Sequence, residues 1–165
     1  MAAHREWSDD TGTLRRFGLA LARDDRFIVD DVTAARLVDK LIRQSFVSAA
    51  EPGATARLRI FARFIGLYRR HVRRLALEEN DAAWTETQRH GCTAARVRAL
   101  PLELREALLL VVLAEFSHVD AAAALDIPLA CLLERLERAR ERLCETLDDA
   151  ADETRRGAPY LRVIK

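Results

Sequence analysis

A chain of 165 residues with half of them hydrophobic can bury a core as one domain or two small ones, which excludes disorder throughout. Its formal net charge of +1 excludes nucleic-acid binding by bulk charge alone, and nearly all its cations are arginines, lysine standing only at Lys40 and Lys165. Three cysteines, Cys92, Cys131 and Cys144, form no CxxC pair, and Met1 to Trp7 lacks an apolar leader core, so a reducing cytoplasm is expected. The longest apolar run, Ala107 to Ala114, is too short to span a bilayer, so no membrane association is expected.

Few glycines and prolines, together with recurrent three-and-four spacing of apolar residues, predict an all-α protein. The first helix starts near Asp10 or Thr11 as a cap and buries Leu14, Phe17 and Leu21. Asp30 or Asp31 caps the second, whose inward stripe is Ala35, Val38, Leu41, Ile42 and Phe46. A loop at Ala49-Ala50-Glu51-Pro52-Gly53 ends it.

The third helix is the most regular: Leu58, Phe61, Ile65, Tyr68, Val72 and Leu75 fall on one face. Arg57, Arg59, Arg63, Arg69, Arg70, Arg73 and Arg74 occupy the other with no acidic residue before Glu78, the chain's one concentration of positive charge. Such a face is either merely solvated or in contact with an acidic partner, protein or nucleic acid.

From Glu78 to Gly91 the pattern turns polar and reads as a linker, within which Trp84 either anchors the flanking helices or stays open to a partner. Trp7, like Trp84, lies outside the periodic segments. Helical pattern resumes over Thr93 to Leu100. Pro101 suits the first position of the next helix, where its missing N–H has no intrahelical partner, and Leu104, Leu108, Val111 and Val112 build core. That helix ends at Phe116. Ser117 caps another, Asp126-Ile127-Pro128 makes a sharp turn, and a last helix runs to about Leu147 with a seam of Leu129, Leu132, Leu136, Ala139 and Leu143.

These last two helices form a helix-turn-helix whose second member is poorly charged for DNA. Glu134, Glu137, Glu141 and Glu145 offset Arg135, Arg138, Arg140 and Arg142, whereas a helix entering a phosphate-lined groove should be net positive. Cys131 at this helix's start reads as a small buried residue or as a thiol activated by the helix terminus. His4, His71, His90 and His118 are scattered, and no nucleophile-base or paired-carboxylate arrangement is evident, so neither enzyme nor cofactor is expected. His90-Gly91-Cys92 lacks a second ligand pair, so no metal is expected either.

The segments Leu100-Pro101, Arg105 to Leu110, Ser117 to Ala122, Leu125-Asp126-Ile127-Pro128 and Arg138 to Leu143 resemble region 4 of extracytoplasmic-function sigma factors, and the likeness extends over roughly Leu14 to Leu147. The resemblance implies a region 2-like helical domain over residues 10–77, a linker over 78–92, a region 4-like helix-turn-helix domain over 93–147 and a tail over 148–165. Departures fall on functional positions. The family's polar and basic opening of the reading helix is replaced by Cys131-Leu132-Leu133-Glu134-Arg135, and its region 2 polymerase-docking motif by Asp31-Val32-Thr33-Ala34-Ala35.

A kept fold with drifted DNA and polymerase positions also resembles the sigma-like domain of PhyR-type stress regulators, which mimic a sigma factor to sequester its anti-sigma factor. Leu14-Arg15-Arg16-Phe17-Gly18-Leu19-Ala20-Leu21 is similar to their opening helix, and the residues after Asp148 are too few for their receiver domain. This likeness implies a sigma mimic that binds an anti-sigma factor, with Leu132, Leu133, Glu134 and Arg135 as the partner-binding residues. The alternative is a divergent sigma factor that binds core RNA polymerase and promoter DNA. In that case Arg59, Arg63, Arg69, Arg70, Arg73 and Arg74 would serve one promoter element, and Arg135, Arg138 and Arg142 the other.

Overall fold

The structure, a computed structural model, describes residues 2–22, 30–46, 54–78, 96–97 and 99–156, with side chains at 10–22, 30–46, 55–77, 96–97 and 99–144. Every long element is a helix: α1 (Ala2–Ala22), α2 (Asp31–Phe46), α3 (Ala54–Glu78), α4 (Leu102–Val112), α5 (His118–Leu125) and α6 (Leu129–Arg156). Among the described residues there is no strand. Trp84, the Ala49 to Gly53 loop, His90-Gly91-Cys92 and most of the expected linker lie outside them.

The first three helices form one half. In α1, Leu14, Phe17 and Leu21 are fully buried as their spacing predicts, but the helix begins at Ala2 rather than at Asp10 or Thr11, and so includes Trp7. Asp30 caps α2: its carboxylate accepts the Thr33 amide at 2.7 Å and the Thr33 hydroxyl at 2.9 Å. The amide bond above all holds the Asp30 carboxyl below its usual range. Val38, Leu41 and Ile42 are core, while Ala35 and Phe46 are only half-buried. Gly18 lets α1 approach closely, because a Cβ there would lie 2.6 Å from Phe64 Cζ and 2.8 Å from Val38 Cγ1.

The last three helices form the other half. Ser117 is the N-cap of α5; its hydroxyl accepts the Asp120 amide at 3.1 Å and donates to the Asp120 carboxylate at 2.6 Å. Asp126 ends α5 in the left-handed conformation (φ 55°, ψ 49°), and the Ile127 amide returns to the Ala122 carbonyl at 3.1 Å. A short polar side chain tolerates this backbone region better than a branched one. The chain is thereby redirected into α6, which continues past Leu147 to Arg156 and so takes up the start of the expected tail.

Three expectations for α4 need correction. Pro101 is its N-cap rather than its first residue, and the helix ends at Val112 rather than at Phe116. Glu115 then adopts φ 55°, and the Phe116 amide returns to the Leu110 carbonyl at 3.0 Å. The expected stripe is also incomplete, since Val112 is 68% exposed whereas Arg105, Glu106, Ala107, Leu109 and Leu110 are buried. A short helix packed against α1, α5 and α6 together has no single inward stripe.

The two halves share a core. Leu14, Phe17, Val38, Phe61, Ile65 and Tyr68 belong to the same buried cluster as Ala107, Leu110, Phe116, Leu125 and Leu132, with α3 lying against α5 and α1 against α4. This wider packing explains why α3 buries Ala56, Ile60 and Phe64 beyond its predicted stripe, and why Leu58, Val72 and Leu75 are only half-buried.

Candidate partner-binding surface and the seam behind it

Three places carry the chemistry: the outer face of α3, the seam between the halves, and the outer face of α6. Of the seven α3 arginines, two turn out to serve the seam. Arg57 stands four residues before Phe61, on the apolar stripe rather than opposite it. Its guanidinium donates to the Ala114 carbonyl, lies 4.8 Å from the Phe116 ring centroid, and meets Asp10 at 3.2 Å. Phe116 in turn packs edge-on against Phe61, with ring centroids 4.9 Å apart.

Arg69 likewise leaves the outer face. Its Nε donates to Glu106 Oε1 at 2.9 Å, and its Nη2 donates to Oε2, a two-pronged ion pair between α3 and α4. Glu106 is fully buried. Burial pushes its carboxyl above the usual range, and Arg69 draws it back only in part. Beside it, Arg105 reaches the other way: its Nη1 donates to the Leu21 carbonyl at 3.2 Å, at the end of α1. The Tyr68 hydroxyl donates to the same oxygen at 3.2 Å.

Sequence reading missed Arg105 and Glu106 as structural partners of the first half. The available signal was a charged pair inside the apolar run Leu104 to Leu110, where a charge needs a partner to be buried.

What remains on the outer face of α3 is still basic. Arg59, Arg63, Arg70, Arg73 and Arg74 are exposed, though Arg63 also donates to the Gln44 carbonyl at 3.2 Å.

On α6 the predicted binding residues separate. Leu132 is fully buried and belongs to the core, so it is withdrawn from the surface, while Leu133 is 45% exposed and forms with Leu129, 41% exposed, an apolar pair one turn apart. Arg135 turns back toward Glu103 of α4 at 3.5 Å and is mostly covered. Glu134 is exposed but engaged, accepting from Arg138 at 2.7 Å. Arg142 is exposed. At 100° per residue the direction opposite Leu132 is held by Ala130, Glu134, Glu137 and Glu141, all exposed. Cys131, expected to be buried if it served as a small core residue, is also exposed, as is Cys144.

Among the described residues no group of three or more acidic, histidine or cysteine side chains is placed to hold a metal ion, and no helix is long and apolar enough to cross a membrane.

No protein-family model matches the sequence. A curated relative, the ECF RNA polymerase sigma factor EcfG of Rhodopseudomonas palustris (strain TIE-1), is 30% identical over 155 residues, covering 85% of this chain and 83% of that protein. Among solved structures, the sigma factor RpoE in complex with the anti-sigma factor NepR, from Bartonella quintana, superposes with a TM-score of 0.68. The match covers 88% of this chain and 96% of that one at 21% identity, a likeness of fold.

Proposed function

This chain belongs to the extracytoplasmic-function (ECF) RNA polymerase sigma factor family, and we propose that within it the protein is a sigma-like regulator that acts by binding an anti-sigma factor in a bacterial stress response. The observation that carries this reading is the outward face of α6. Where a base-reading helix presents cations and polar groups to the groove, this one presents Glu134, Glu137 and Glu141, and two of its arginines are engaged with Glu103 and Glu134. Phosphates would repel such a face. A partner helix bearing apolar and basic residues would complement it, with Leu129 and Leu133 as the apolar contact.

The second reading, a true sigma factor, is favoured by the exposed Arg59, Arg70 and Arg73 on α3 and by the sigma-factor name of the curated relative. One pair of measurements separates the two. With purified components, the regulator reading expects tight binding to an anti-sigma factor of the NepR kind and no promoter-dependent transcription on adding core polymerase. Transcription from a defined promoter would overturn it. Leu133→Asp should weaken anti-sigma binding at least tenfold, a loss of about 1.4 kcal/mol.

A further inference from the structure

We propose that the outward stripe of α3 is a docking surface for a second copy of this chain, which seats on it the acidic last turns of its own α6. At 100° per residue Arg59, Arg63, Gly66, Arg70 and Arg73 fall within about 80° of one another, and all five are exposed along about 21 Å of helix. Arg63 also donates to the Gln44 carbonyl. Among the described residues no carboxylate meets Arg59, Arg70 or Arg73.

The middle of the stripe is bare. The fold demands Gly18, where a Cβ would strike Phe64 and Val38, but a Cβ at Gly66 would meet nothing within 4 Å. An interior glycine weakens a helix relative to alanine, and no neighbour among the described residues requires this one. Exposed backbone between two pairs of arginines lets another helix come close, because the distance between packed helices is set by the side chains at their contact.

The complementary charge lies on the same polypeptide. Along α6 the alternation of glutamate and arginine ends at Arg142. Glu145, Asp148, Asp149, Asp152 and Glu153 follow with no cation before Arg155, in a backbone that stays helical to Arg156. These five positions fall within an arc of about 140° over about 12 Å of helix, close to the span of about 11 Å from Arg63 to Arg70. Helix α6 packs on α4 and α5 and has no break, so its end does not turn back to α3, and a second copy supplies it. The net charge of +1 lets two copies approach without mutual repulsion while their opposite local charges orient them. The contact uses neither Leu129 nor Leu133, so it does not rest on the anti-sigma reading.

Sedimentation of the full chain tests it. The parent should self-associate as its concentration rises and come apart as salt is added. Arg70→Glu with Arg73→Glu sets like charges against each other, as does Asp148→Arg with Asp149→Arg, and each double variant alone should associate roughly tenfold or more weakly. Mixed together they should associate again, since each supplies the charge that the other has lost. Gly66→Leu places its side chain in open space, so it should keep the helical circular dichroism and urea midpoint of the parent while weakening association to a similar degree. A parent that stays monomeric at low salt would overturn the proposal, as would a mixture no more associated than its components. So would a monomeric parent that binds a mixed-sequence DNA duplex and loses it with Arg70→Glu and Arg73→Glu, which would give the stripe to nucleic acid.

Discussion

Helices α3 and α6 are the two long arginine-rich helices of this fold, and they dispose of their charge in opposite ways. In α6 glutamates alternate with arginines along the chain, so charge is settled locally: Arg138 meets Glu134 one turn away, and Arg135 needs only the adjacent α4. In α3 seven arginines precede the first carboxylate, Glu78. Two of them recruit acceptors from the other half of the molecule, Glu106 and the Ala114 carbonyl. A helix that balances itself leaves its face free for a partner, whereas one that cannot balance itself becomes the organiser of tertiary structure.

The largest effect should come from α3. Phe61 is fully buried and touches the rings of both Phe17 and Phe116, so Phe61→Ala should cost about 3–5 kcal/mol in urea unfolding. A small loss would break the view that α3 organises both halves. On α6 the adjacent leucines should part company. Leu132→Ala should cost about 2–5 kcal/mol. Leu133→Ala should stay within about 0.5 kcal/mol of the parent in the same assay while weakening anti-sigma binding in a titration. Equal destabilisation by both would deny α6 a free face. Ser117→Ala, which removes the α5 cap, should lower stability by about 1 kcal/mol.

The smallest effect is a pH dependence. Because burial raises the Glu106 carboxyl above its ordinary value, the native state holds this proton more tightly than the unfolded chain does. Its contribution to stability is therefore fully present below the ordinary glutamate value of about 4.3 and is lost as pH rises through the raised one. Urea midpoints of the parent, measured against those of Glu106→Gln over that range, should fall with rising pH. A difference that grows with pH instead would mean that Arg69 outweighs burial, and that the pair favours its charged form.

Much of this was legible in the amino-acid sequence because it is local. The Ser117 cap, the Asp126-Ile127-Pro128 turn, the stripe of α1 and the Phe61, Ile65 and Tyr68 part of that of α3 each follow from residues within a turn or two of one another. The helix-turn-helix and its family resemblance rest on such signals.

The seam was not legible, because nothing near Glu106 in sequence announces Arg69, 37 residues away. Arg57 was misassigned for a related reason: grouped by charge it belongs with Arg59 and Arg63, but by helical angle it belongs with Phe61. Periodicity placed Leu132 in the buried seam and Leu133 outside it, and the packing of α6 on α4 and α5 bears that out, although the resemblance had set both on the binding surface. For the candidate surface, then, the sequence showed that α6 balances its own charge but not which of its residues are spent inward.

The Leu21 carbonyl oxygen receives a hydroxyl from Tyr68 in its own half and a guanidinium from Arg105 in the other. One bond is internal to the first half and the other exists only across the seam. That atom is therefore a built-in reporter: a carbon-13 label at Leu21 would shift its carbonyl vibration to lower frequency with each bond accepted, and a spectrum would distinguish one donor from two. The position of a single infrared band could then follow closure in solution, without a dye or a substituted residue.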